Sequence, residues 1–210
     1  STITSFESIK YAKTDEGTSI YADALCADGS SMVTEFIYWS DYYNSIISPF
    51  YSYSTGRTKE TLRSSQVTCR DIDDDGYIEI PEDTSSKKQS SEITSQNWVN
   101  YGNTVLSHKC YSFSCKRDGY ILVIDDDDFS KVKANYDSES RKLTIIDKKN
   151  KSNVFEIVTL INSNYSVNDP KYKDYTMIMK NSGFVYLAKV NKSSDIDINI
   201  QTLKDMIKVY

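Results

Sequence analysis

Apolar residues in this chain come in short β-branched and aromatic runs, each closed by polar turn residues, and only the last stretch changes to a helical period. Residues 19–26 alternate around Ile20, Ala22 and Ala24, and Asp28-Gly29 supplies a turn. Residues 32–39 then resume with Val33, Phe36, Ile37 and Tyr38, so the pair predicts a β-hairpin. Beyond a polar turn at Ser40-Asp41 lies the aromatic stretch Ile46-Ile47-Ser48-Pro49-Phe50-Tyr51, followed by the loop Thr55-Gly56-Arg57. Residues 65–70 and 77–80 read as further strands on either side of an acidic loop.

Residues 83–96 break this pattern. From Asp83 to Ser91 no apolar residue occurs, which marks a linker or exposed loop. Further on, residues 97–115 carry Trp98, Tyr101, Val105, Tyr111 and Phe113, and residues 119–124, 142–146 and 154–161 read as strands. Residues 176–179 and 184–190 flank the hairpin signal Asn181-Ser182-Gly183. Ile200, Leu203, Ile207 and Tyr210 recur at helical spacing, with Ser193-Ser194-Asp195 upstream as a start signal. The expected class is mainly β / α+β: an antiparallel, propeller-blade-like β segment over residues 1–90, then an α+β domain over 91–210 with an antiparallel sheet and a C-terminal helix.

Composition narrows the function classes. The 210 residues include 17 Tyr against 7 Gly and 3 Pro, and so many aromatics argue against a disordered chain. A net charge of −5 with scattered lysines argues against general nucleic-acid binding, which needs clustered Lys and Arg. No apolar run approaches the roughly 20 residues of a membrane span. The chain opens at Ser1, which fits removal of an N-terminal segment by processing or trimming. Cys26, Cys69, Cys110 and Cys115 allow two bridges in three pairings, with Cys110 and Cys115 as candidates to close a short hairpin, or free thiols packed as small hydrophobes. Zinc lacks support, because there is no C-x-x-C pair and His108 is the one histidine.

The segment Asp71-Ile72-Asp73-Asp74-Asp75-Gly76-Tyr77-Ile78-Glu79 carries chemistry. It places carboxylates at loop positions 1, 3, 5 and 9 and Gly at 6, and Ca²⁺ takes six to eight oxygens at about 2.3–2.6 Å. Asp71, Asp73, Asp75, the carbonyl of Tyr77 and Glu79 are the candidate ligands, and Ca²⁺ is the implied ion. A solvated acidic turn is the alternative. The loop also fits an EF-hand expression with Glu82 at position 12, but the flanks are strand-like and Pro81 would interrupt an exiting helix.

The run from Arg70 to Pro81 resembles the D-[IV]-[DN]-x-D-G-x-x-E-I-P signature of FG-GAP/VCBS-like β-propeller repeats, in particular those of uncharacterised Firmicutes cell-surface lipoproteins. Residues 34–39 and 48–51 are similar to blade strands of that family, and residues 119–122 and 173–189 to its appended α+β domain. The resemblance implies blade fragments, a bacterial extracytoplasmic protein that is lipid-anchored or secreted, and no catalytic residues. It implies contact with a membrane only through an N-terminal lipid anchor outside this chain. One such loop occurs, fewer than a closed propeller needs.

Other constellations are less specific. Asp125-Asp126-Asp127-Asp128 reads as a solvated strand-end turn rather than a second cation site. Trp39, Tyr42, Tyr43, Phe50, Tyr51 and Tyr53 fit half-buried strand positions or, alternatively, a platform for a sugar or peptide, in which Trp39, Tyr42, Tyr43 and Tyr51 would stack on the ligand. No nucleophile motif surrounds His108, and no P-loop, dinucleotide or zincin motif occurs. The expected function is a non-catalytic extracytoplasmic binding or scaffold module with a calcium-stabilised loop and an extracellular carbohydrate or protein ligand. A polysaccharide- or cell-wall-acting hydrolase and a passive fragment of a larger propeller protein are the alternatives.

Overall fold

The computed structural model describes residues 2–14, 17–84, 92–102, 104–166, 169–191 and 196–210. The fold is mainly β, with 55% of residues in strands and 9% helical, and the strand pairings are antiparallel. The chain divides into two compact units, and the division does not fall at one point: residues 1–85 with 96–110 form one, and 86–95 with 111–210 the other. The break from Asp83 to Ser91 lies largely outside the described residues, as does Ser193-Ser194-Asp195.

In the first unit, β1 (Ile3–Thr14), β2 (Gly17–Cys26), β3 (Met32–Ser40) and β4 (Ser45–Ile47) form an up-and-down sheet in that order. The hairpin between β2 and β3 turns where the sequence signals it. Asp28 Oδ1 accepts from the Ser30 and Ser31 amides, and Gly29 takes φ +69°. β1 carries no clean alternation, because Ile3, Phe6 and Ile9 are three apart. Register shifts at Thr4 and Glu7 absorb the extra residues, so Ile3, Phe6 and Ile9 stand opposite Cys26, Ala24 and Ala22 on one face.

The other face of this sheet builds the core of the unit. Tyr21, Phe36 and Tyr38 bury with Phe50, Cys69, Ile80, Val99 and Tyr101, and Phe36 lies 4.8 Å from both the Tyr21 and Tyr101 rings. Asp23, on the same face, accepts from Arg63 Nη2 at 2.8 Å, from Thr34 Oγ1 at 2.6 Å and from the Cys69 amide at 2.9 Å. Residues 65–70 were expected as a strand. They are instead irregular, lying between the Met32–Arg63 and Arg70–Glu79 bridges, because side chains such as Asp23 take their backbone donors. Two short strands, β5 (Tyr51–Ser52) and β6 (Arg57–Thr58), pair with each other, and β7 (Ile80–Asp83) pairs with β8 (Ile93–Gly102). Pro81 is tolerated in β7 because that strand ends its sheet.

β8 and β9 (Val105–Cys115) run through both units. In the second unit β9 pairs with β10 (Tyr120–Ile124), which pairs with β16 near the C-terminus (Ile207–Val209). A five-stranded sheet follows, in the order β11 (Val132–Asp137), β12 (Lys142–Asp147), β13 (Asn153–Ile161), β15 (Phe184–Val190), β14 (Thr176–Lys180). Its core includes Phe113, Tyr120, Leu122, Leu143, Ile145, Phe155, Ile157 and Leu203. The Asn181 hairpin forms as expected, with the Asn181 carboxamide oxygen accepting from the Gly183 and Phe184 amides.

Two local expectations change. The Asp125–Asp128 run is one helical turn, α1 (Asp126–Phe129), rather than a strand-end turn, since the Asp125 carbonyl accepts from the Asp128 and Phe129 amides. The C-terminal helix α2 (Ile200–Met206) stops before Ile207 and Tyr210, because the β-branched end of the chain pairs with β10. Its cap is Asn199, whose carboxamide oxygen accepts from the Gln201 and Thr202 amides. None of the four cysteines is in a disulfide, so the unbridged reading holds. Cys110 and Cys115 share the extended strand β9, and five residues at about 3.3 Å each exceed the roughly 7 Å a bridge can span.

Candidate metal centre

Asp71 to Glu79 is a loop closed at its base by a two-residue bridge. The Arg70 amide donates to the Glu79 carbonyl at 3.0 Å, and the Glu79 amide to the Arg70 carbonyl at 2.9 Å. No helix flanks it among the described residues. The reversal uses two residues with positive φ, Asp74 at 61° and Gly76 at 90°. A Cβ at Gly76 would meet nothing within 4 Å, so the demand for glycine there is backbone conformation alone. Asp71 holds the turn closed, accepting from the Asp75 amide at 3.1 Å and the Gly76 amide at 2.9 Å.

Three of the candidate ligands converge. One carboxylate oxygen each from Asp71, Asp73 and Glu79 lies within 4.8 Å of the others. Oxygens bound to one Ca²⁺ at about 2.4 Å are separated by at most about 4.8 Å, so this spacing fits a shared ion. Glu79 is fully buried: Oε2 accepts from the Ile72 amide at 3.0 Å, whereas Oε1 is buried without a hydrogen-bond partner. Burial pushes its carboxyl up to about 7; the Ile72 amide opposes this, and the charges of Asp73, Asp75 and Asp71 add to it. A buried carboxylate with one oxygen lacking a donor, in a residue that converges with two further carboxylates, is chemically matched to a hard cation.

Asp75 and Tyr77 are placed differently. Asp75 Oδ1 accepts from the Tyr77 amide at 2.9 Å, and its Oδ2 takes the Lys109 ammonium at 2.6 Å. Lys109 also lies 3.4 Å from Asp73 Oδ2. Burial would raise the Asp75 carboxyl, but the Lys109 and Tyr77 donors outweigh it and hold it below the ordinary value. The same contact with Asp75 holds the Lys109 ammonium above its ordinary range. Lys109 belongs to the site and carries no local sequence signal, since it sits 34 positions from Asp75 on β9. Glu82 lies apart, accepting from Asn97 Nδ2 at 3.0 Å, and Asp83 instead accepts from the Ser64 and Ser65 amides.

The aromatic residues do not form one flat surface. Tyr42 and Tyr43 stand edge to face at 88°, Tyr51 and Tyr53 at 87°, and Phe50 is buried in the core. Trp39 is half exposed and donates its indole N–H to Asp41 at 2.9 Å. His108 Nδ1 contacts the Asn97 side chain and meets no nucleophile in that contact. Among the described residues, no helix is long and apolar enough to cross a membrane. Comparison with known proteins found no matching family model, no similar curated protein and no similar solved structure.

Proposed function

We propose that this chain is a non-catalytic binding or scaffold module of the bacterial cell exterior, surface-anchored or secreted, whose 71–79 loop is stabilised by Ca²⁺. The convergence of Asp71, Asp73 and Glu79, the last with a buried Oε1 that has no hydrogen-bond partner, carries the ion assignment. These three carboxylates would hold the ion. Asp75 joins them by exchanging Lys109 for it, with the Tyr77 carbonyl as a further oxygen. An extracytoplasmic setting supports the reading, because affinities of about 10⁻⁴–10⁻³ M suffice there. The resemblance of residues 70–81 to loops of surface lipoproteins points the same way.

Stability measured with and without calcium tests the proposal. At ten to a hundred times the dissociation constant, Ca²⁺ adds roughly 1.4–2.7 kcal/mol. For a chain of this size that raises Tm by several degrees, on the order of 3–10 °C. Asp73→Ala abolishes the rise; an unchanged Tm at about 10 mM Ca²⁺, roughly ten times the weakest expected dissociation constant, or a rise that survives Asp73→Ala, removes the ion from the proposal.

The hydrolase alternative requires two carboxylates about 5–10 Å apart in a cleft. A cavity of about 660 Å³ beside β14, β15 and the lead into α2 has Asp174 and Asp197 in its wall. Asp174 is exposed and pairs with Lys189 at 3.6 Å, which favours a solvated ion pair over a buried acid poised for protonation.

A further inference from the structure

The first sheet leaves an apolar face open. Register places Phe6, Ile9 and Tyr11 of β1 opposite Ala24, Ala22 and Ile20 of β2, and Trp39 of β3 opposite Ile46 of β4, all on the face away from the Tyr21–Phe36 core. One end of this face is closed by a small cluster of Ala24, Cys26 and Val33 with Ile3. The rest is open: Tyr11 is 83% exposed, Ile46 68% and Ile9 67%. The two register shifts in β1 fall on Thr4 and Glu7, so the strand departs from strict pairing and in doing so keeps Ile3, Phe6 and Ile9 on this side.

We infer that this face is the interface of a homodimer. Together Phe6, Ile9, Tyr11, Ile20, Trp39 and Ile46 expose on the order of 700 Å². The largest apolar patch on a typical monomer is about 300–600 Å², whereas a stable interface takes about 800 Å² from each partner. The patch therefore stands at the upper end of what a monomer ordinarily carries and approaches one side of a standard interface.

Charge selects the occupant. The chain carries −5 overall, yet the strand positions of this face hold one Lys and one Glu, Lys13 on β1 and Glu35 on β3. Ile20 on β2 lies midway between them. Lys13 is one strand to one side and one row beyond the Tyr11–Ile20–Ile37 row, and Glu35 one strand to the other side and one row before it. A two-fold axis passing at Ile20 lays Lys13 of each copy over Glu35 of the other, twice per dimer. The two strand-borne charges are of opposite sign, so each copy can offer its Lys13 to the Glu35 of the other, as an isologous interface requires.

Sedimentation of the whole chain at micromolar concentration tests this. A species of twice the 24.0 kDa chain is expected. Ile20→Glu and Ile46→Glu should each return the monomer while near-ultraviolet circular dichroism stays native. Glu35→Lys should weaken dimerisation by at least about tenfold, and adding Lys13→Glu to it should restore the affinity. A monomeric wild-type chain overturns the inference, as does a dimer indifferent to Ile20→Glu, a charge reversal without rescue, or a monomer that binds only some other macromolecule through this face.

Discussion

The Lys109 ammonium lies 2.6 Å from Oδ2 of Asp75, so a cation carried on β9 already neutralises part of the acidic loop. It also approaches Asp73 at 3.4 Å. A divalent ion that recruits Asp75 must displace this ammonium, so the loop and Lys109 compete for the same oxygens. Removing the lysine has opposite effects with and without metal. In Lys109→Met the metal-free protein is less stable by about 0.5–1 kcal/mol, as for an ion pair that is partly exposed. Its calcium affinity rises by about tenfold, because the competitor is gone. Calorimetric titration and melts of the same variant read both effects.

Glu79 provides a sharper separation of the two states. Its folded carboxyl titrates at about 7 instead of 4.5. The unfolded chain releases this proton first as pH rises, so the native state loses stability between about pH 4.5 and 7 and carries the full burden above 7, on the order of 3 kcal/mol. Metal-free Glu79→Gln, which is neutral throughout, should be more stable than wild type at pH 8 and should lose the stabilisation by calcium. Urea unfolding at pH 5 and pH 8, in chelator and in calcium, gives the four values needed.

Asp83 has the opposite linkage. Burial acts to raise its carboxyl, but the Ser65 and Ser64 donors prevail and depress it. Its contribution is therefore present above about pH 4 and disappears as pH falls through the depressed folded value. Asp83→Asn should flatten the acid limb of the Tm–pH curve relative to wild type while leaving the calcium response intact.

The Asp23–Arg63 pair tests the core of the first unit. Both side chains are fully buried, and Asp23 satisfies Arg63, Thr34 and the Cys69 amide together. Asp23→Ala leaves a buried guanidinium without its counter-charge and should cost about 3–5 kcal/mol. Asp23→Ala combined with Arg63→Met should recover part of that loss, which a double-mutant cycle by urea denaturation measures.

The parts of this fold that were legible in the sequence are those fixed by neighbours along the chain. The β2–β3 hairpin was readable because alternation around Ile20, Ala22 and Ala24 and the Asp28-Gly29 turn are local signals. β1 was not, because spacing by three at Ile3, Phe6 and Ile9 hides a strand until register shifts against β2 absorb it. Ile207 continues the helical period of Ile200 and Leu203, and only the presence of β10 converts it to a strand. At the loop, Asp71, Asp73 and Glu79 were readable from spacing. The turn of Asp75 toward Lys109 was not, since its cause lies 34 residues away.

Calcium titration by isothermal calorimetry at pH 7.5, on chelator-treated protein, is the most direct test of the loop. One ion per chain should bind at about 10⁻⁴–10⁻³ M or tighter, and binding should be lost in Asp73→Ala and in Glu79→Gln. No heat of binding at millimolar Ca²⁺, or binding unaltered in both variants, would contradict the assignment of Asp71, Asp73 and Glu79 as a cation site.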